Sequence, residues 1–99
     1  MATVLHGDFE WDDVKAENNL RRHAVSLLEG ITVFDDPFAI IERSHKHSIG
    51  EIRYVIIGMS ERNRLIAVAY TIREQVRIIS ARKLTPQERR HYEKQTENQ

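Results

Sequence analysis

Arg53, Arg73 and Arg82 fall in three short stretches, GEIR, TIRE and ISARK, that read as strands or strand ends. Guanidinium groups match phosphate oxygens in pairs and stay charged. Gathered on one sheet face with no competing acid, they suit a phosphodiester and the charge that develops on it during cleavage. His23, in RRHA, has an imidazole suited to proton transfer near neutrality. It also ends a helix pattern, where a cation suits the helix dipole. Glu51 is a general-base candidate or the salt-bridge partner of a nearby arginine. His45 and His47 sit two apart and would suit a metal, but no third ligand accompanies them. No glycine-rich phosphate loop, Ser/His/Asp arrangement or pair of acids at catalytic spacing is evident. The plainer reading of the arginines is a solvated sheet face, and on residue types alone it has a slight edge. If chemistry is present, cleavage of RNA without a metal or other cofactor fits best. The 2′-hydroxyl is an internal nucleophile, so the protein need only position the backbone, move a proton and stabilise charge.

These residues need elements to hold them. DDVKAENNLRRH, residues 12–23, reads as a helix capped by Asp12 or Asp13. Ser26 to Glu29 is a capping box that opens a second helix, Leu27 to about Phe34, and Asp35-Asp36-Pro37 breaks the chain. Four strand patterns follow: Phe38–Arg43, Ile52–Met59, Leu65–Ile72 and Val76–Arg82. Thr85 to Glu88 is a second capping box, with Pro86 at the first helical position. The expected fold is α+β: two N-terminal helices, a four-stranded antiparallel sheet and a C-terminal helix, with the helices on one face. Phe9–Trp11 is a possible additional edge strand, and Trp11 is expected to anchor the first helix to the sheet.

Alternation of side chains then sets the faces. A five-residue turn at 60–64 places Met59 opposite Leu65 and Arg53 opposite Thr71. A two-residue turn at Glu74-Gln75 places Arg73 opposite Val76, Thr71 opposite Ile78, Ala69 opposite Ser80 and Ala67 opposite Arg82. Arg53, Arg73, Ser80 and Arg82 would share the open face, with Ile79 and Ala81 on the core face. Arg77 would point to the helix side, in a structural role. A one-residue slip would undo this arrangement.

Ninety-nine residues make one domain, 1–99, with residues 1–8 and the tail 95–99 expected to be loosely held. Cysteine is absent, which excludes disulfides, thiolate zinc sites and a thiol nucleophile. No apolar run reaches the length of a membrane span and no secretory leader is visible, so the expected compartment is the cytoplasm. The formal net charge is zero, but it is unevenly spread. Residues 1–42 carry three Lys/Arg against nine Asp/Glu, and residues 43–99 carry twelve against six. That asymmetry points to an anion-binding side.

The segments FEWDDVKAENNLRRHAVSLLEGITVFDDP, GEIRYVIIG and RLIAVAYTIREQVRIISARKLTPQERRHYE, from Phe9 to Glu93, resemble the BrnT family of bacterial type II toxins. The resemblance implies a RelE-like fold and a metal-independent endoribonuclease that arrests translation. It implies a BrnA-like ribbon-helix-helix antitoxin as partner, with operator DNA contacted only through that antitoxin. Motif positions carried over are Lys15 and Asn18, His23, Glu51 and Arg53, Arg73, and Arg77, Ser80, Arg82 and Lys83. The resemblance makes Arg53, Arg73, Arg82 and His23 the catalytic candidates. Lys15, Glu51, Arg77, Ser80 and Lys83 are the substrate-binding ones. The chain departs from the family's pattern at Ala24, where a glycine usually follows the basic-His pair, and at Leu84, where an alanine is usual. The alternative reading is a non-catalytic module that binds a DNA-binding partner and tunes repression.

Overall fold

The computed structural model describes residues 2–44 and 50–97; His45 and His47 lie outside the described residues. Strands β1 (Thr3–His6) and β2 (Phe9–Asp12) form an antiparallel hairpin around Gly7, whose φ of 58° suits a residue without a side chain. Helices α1 (Asp13–His23) and α2 (Leu27–Thr32) follow, then a 3₁₀ turn at Val33–Asp35. Strands β3 (Ile40–Arg43), β4 (Arg53–Met59), β5 (Leu65–Ile72) and β6 (Val76–Lys83) lead to helix α3 (Pro86–Glu97).

The expected RelE-like layout, with two leading helices and a four-stranded antiparallel sheet, is corrected. The sheet has six strands in the order β1-β2-β6-β5-β4-β3 and is mixed, because β2 runs parallel to β6 through Phe9–Val76 and Glu10–Arg77. Phe9–Trp11 is therefore not an edge; β1, from the stretch expected to hang loose, is. The tail is likewise helical as far as Glu97. The long crossover from β2 to β6 leaves no local turn to mark their pairing, so only tertiary contact decides it.

Helices α1 and α2 cover one face. Trp11, Val25, Leu27, Ile31 and Val33 pack there on Ile56, Ile66, Val68, Tyr70, Ile78 and Ala81. The approach is close: a Cβ added at Gly30 of α2 would meet Ala81 Cβ at 3.1 Å. Helix α3 does not join them. Its Tyr92 packs on the opposite face, against Ile57, Leu65 and Ala67. Helices thus lie on both faces, and α3 covers part of the surface expected to stand open. No helix among the described residues is long and apolar enough to cross a membrane.

The β4–β5 register is as expected, with Arg53 opposite Thr71 and Met59 opposite Leu65. The β5–β6 register agrees at Ala67–Arg82 and Ala69–Ser80, then slips: Tyr70 pairs with Ile78, Thr71 with Arg77 and Ile72 with Val76. The slip is a β-bulge at Ile79, forced by a three-residue turn at Arg73–Gln75 where two residues were expected. It has two consequences. Ile78, not Ile79, enters the core, at 3% exposure. Arg77 moves to the face of Thr71 and Arg53, rather than the helix side.

Candidate active site

Five of the residues singled out above meet where the starts of α1, β4 and β6 and the turn before β6 converge. Lys15, Glu51, Arg53, Arg73 and Arg77 line a small cavity of about 80 Å³, together with Asp12 and the apolar Ile78 and Ile79. Lys15 is placed by α1, whose first turn is fixed by Asp12: its Oδ1 accepts from the amides of Val14 (2.8 Å) and Lys15 (3.1 Å). These two bonds, the Lys15 amide foremost, hold Asp12 below the usual carboxylate range.

Glu51 is the hinge of the cluster. Its Oε2 accepts from Arg73 Nη2 at 3.1 Å, while its Oε1 lies 3.6 Å from Arg53 Nε. The hydrogen bond from Arg73, ahead of the charges of Arg73 and Arg53, depresses its pKa. A lowered pKa makes Glu51 a poorer general base than a free carboxylate, because proton transfer is most efficient near the operating pH. Glu51 instead positions two guanidinium groups. Arg53 Nε is buried and makes no hydrogen bond; the Glu51 oxygen stands too far away to accept it. Arg77 donates from Nη1 to Glu10 Oε2 at 3.1 Å, its cross-strand neighbour in the parallel pair, and both are about four-fifths buried.

A second cavity, of about 470 Å³, adjoins the first and shares Arg53 and Ile79 with it. Its floor is apolar, and its rim includes Ser80, Arg82, Glu88 and His91. Arg82 forks onto Glu88, Nη1 to Oε1 at 2.8 Å and Nη2 to Oε2 at 3.1 Å. Glu88 also closes the capping box of α3, accepting from the amide of Thr85 at 2.9 Å while its own amide donates to Thr85 Oγ1 at 3.2 Å. The Arg82 bond, above all, holds the Glu88 carboxyl below its ordinary pKa. His91 Nδ1 lies 3.3 Å from Glu42 Oε1 across the cavity mouth.

The expectation of arginines without a competing acid is therefore corrected: Glu51, Glu10 and Glu88 each hold at least one of them. His23 and Lys83 do not join the group. His23 is two turns beyond Lys15, about 12 Å along α1, and lines neither cavity. Lys83 pairs with Ile66 at the far end of β6 and borders a separate groove beside Tyr92 and Glu93. Asn18 is exposed and accepts from Arg21, whereas its neighbour Asn19 is buried. Residues missed at the sequence level are Glu10, Glu88, His91 and Ile79. The Thr85 capping box marked Glu88 as a helix cap, not as a partner of Arg82. Nothing in the local pattern marked the bulge at Ile79.

A family model described as the ribonuclease toxin BrnT of type II toxin–antitoxin systems matches residues 11–88. That span contains every residue of the small cavity. No curated protein matches the chain.

Proposed function

The chain belongs to the BrnT family of ribonuclease toxins of type II toxin–antitoxin systems, and from that premise we propose that it is an endoribonuclease that cuts RNA over the small cationic cavity and thereby arrests translation in the cytoplasm. Arg53 carries the reading. Its Nε is a buried donor without an acceptor, in a cavity where four cations stand against Asp12 and Glu51. A buried donor that lacks a hydrogen-bond acceptor is costly in the free protein, even with the Glu51 carboxylate 3.6 Å away to balance its charge. A phosphate oxygen would satisfy it, and the surplus positive charge would hold the rest of the group.

In cleavage the RNA 2′-oxygen attacks phosphorus, the 2′-proton passes to a base, and the 5′-oxygen departs as it gains a proton. Negative charge grows on the non-bridging oxygens. Arg53 and Arg73, held by Glu51, are placed to stabilise it, with Lys15 and Arg77 on the flanking phosphate path. His91 is the one histidine on the wall of either cavity among the described residues, and it replaces His23 as the proton-transfer candidate. Neutralisation by a BrnA-like ribbon-helix-helix antitoxin, with operator DNA reached through that partner, is the assignment for its regulation.

A second reading has its own observation. Arg73, Arg77 and Arg82 are already paired with carboxylates, as they would be in a surface built to dock a protein. One experiment separates the two. Purified chain is incubated with RNA in chelator, with and without ribosomes, beside a variant with Arg53, Arg73 and Arg82 all changed to Ala. Cleavage by the parent chain, lost in a variant that still folds and binds antitoxin, supports the enzyme. Intact RNA throughout, with antitoxin binding lost in the variant, supports the docking module.

A further inference from the structure

The larger cavity is more than a continuation of the phosphate site. Ile40, Val55, Ile57, Ala69 and Ile79 give it an apolar sheet face, and its cations are Arg43, Arg53 and Arg82. The hollow exists for a local reason. Ala69 stands between Val55 on one side and Ser80 on the other in the strand register, so two small side chains sit side by side in mid-sheet. The bulge then turns Ile79 and Ser80, consecutive residues, to the same face. Ile79 becomes the partition between this hollow and the cationic cavity, and Arg53 borders both.

We propose that the larger cavity is a nucleobase subsite, taking one base of the RNA whose phosphate sits at Arg53; this rests on the phosphate reading above. Its volume of about 470 Å³ lies within the range of roughly 300–1,000 Å³ typical of small-molecule sites. An apolar floor suits the face of a base, which needs no hydrogen bonds. The rest of the lining is polar and can meet the edges of a base: Glu42, Arg43, Ser44, Ser80 and the Arg82–Glu88 fork, with the proton-transfer candidate His91 beside them. Because that fork fills both carboxylate oxygens, Glu88 holds Arg82 as a flat wall rather than a free phosphate ligand. Arg82 is thereby assigned to the base, and Arg53 and Arg73 to the backbone. An adjacent phosphate and base site, joined by shared residues, also gives the toxin a means of preferring some RNA sequences over others.

The test uses the full chain and probes that lack the 2′-hydroxyl and so cannot be cleaved. Binding of the four deoxy homodinucleotides is compared by calorimetry with that of the corresponding abasic dinucleotide. At least one base-bearing probe should bind roughly tenfold tighter than the abasic one, as stacking of a base predicts. Ala69→Leu, which fills the hollow from a side chain facing away from the helix core, should erase that preference and leave abasic binding within about twofold. Ala69→Val, a smaller filling of the same hollow, serves the same purpose if Ala69→Leu does not fold. Equal binding of all five probes by the parent chain, or equal weakening of all five in the filled variant, overturns the subsite. If Arg53→Ala leaves abasic binding unchanged, or if no probe binds at all, the phosphate reading itself fails and the subsite with it.

Discussion

The side-chain amide of Asn19 pairs with both backbone groups of Ala81. Asn19 Nδ2 donates to the Ala81 carbonyl at 2.8 Å, and the Ala81 amide donates to Asn19 Oδ1 at 3.1 Å. The same Nδ2 also donates to the Val25 carbonyl at 2.9 Å. Strand β2 pairs with β6 only at Val76 and Arg77, so farther along β6 a helix side chain takes the place of a neighbouring strand. Every group involved is buried, and buried backbone groups are costly when unpaired.

Asn19→Ala should therefore destabilise the fold by about 2–4 kcal/mol, since three buried backbone groups lose a partner. The exposed Asn18→Ala should stay within about 0.5 kcal/mol of the parent. Urea unfolding of the two variants side by side checks this; equal midpoints would mean that water replaces the amide at no cost.

Ala24 ends α1 in the left-handed region, at φ 57°, with its amide bonded to Leu20. This is the position where the resemblance in sequence implies a glycine. A side chain there costs about 1–2 kcal/mol, partly offset because glycine loses more freedom on folding. Ala24→Gly should stabilise the chain by about 0.5–1 kcal/mol, raising the melting temperature by roughly 4 °C. An unchanged or lower melting temperature contradicts it.

Arg53→Ala should lower RNA cleavage by about 10²–10³-fold, the usual loss for a donor that stabilises transition-state charge. Its stability should hardly fall, because the group removed includes an unsatisfied buried donor. His23→Ala and Lys83→Ala, both outside the two cavities, should keep activity within about threefold. Rates and melting curves on the same preparations decide the matter; a large stability loss in Arg53→Ala would mark it as a structural arginine.

Tyr92 donates to Asp36 Oδ2 at 2.6 Å, and the Met59 amide donates to the same oxygen at 2.7 Å. Burial, then the bond to Asp36, pushes the Tyr92 hydroxyl up to about 12. A raised folded pKa contributes stability that is complete below the ordinary value near 10 and is lost as pH rises towards 12. Stability of the parent chain should fall across that window more steeply than that of Tyr92→Phe. At neutral pH the variant should be weaker by about 2 kcal/mol. Parallel slopes in urea midpoints measured from pH 9 to 12 refute the coupling. For Asp36, burial pushes upward but the bonds from Tyr92, Met59 and Phe38 outweigh it, so its pKa is lowered. Its contribution is present above its ordinary value of 3.8 and goes as pH falls through the folded one.

The elements themselves were legible because their signals are local. Asp12 caps α1, Ser26 accepts from the Glu29 amide at 3.0 Å, and Thr85 and Glu88 close their box, all from residues within a turn of one another. The β4–β5 register followed from a short turn of known length. Even so, the Glu29 carboxylate, expected to complete its own capping box, goes elsewhere. It is buried at 3% exposure and accepts from Ser60 Oγ at 2.7 Å and Arg64 Nε at 2.8 Å, more than thirty residues on. Those bonds, Arg64 first, hold its pKa low. A side chain three residues from its cap has a local option, and the buried charge of a distant strand end outcompeted it.

By itself, the sequence determined the residue types for anion binding, the strands that carry Arg53 and Arg82, and the helix that carries Lys15. Its motifs also pointed to the family. Only the tertiary structure decided which of these residues meet. The parallel pairing of β2 with β6 brings Glu10 onto Arg77, and the bulge at Ile79 turns Arg77 onto the face of Arg53. The packing of α3 on that same face claims Arg82 for Glu88 and leaves the cavities beside it. Each of these outcomes depends on contacts between distant segments or on a one-residue change of register. Side chains alternate every residue along a strand, so one extra residue reverses a face without leaving a mark on the local pattern.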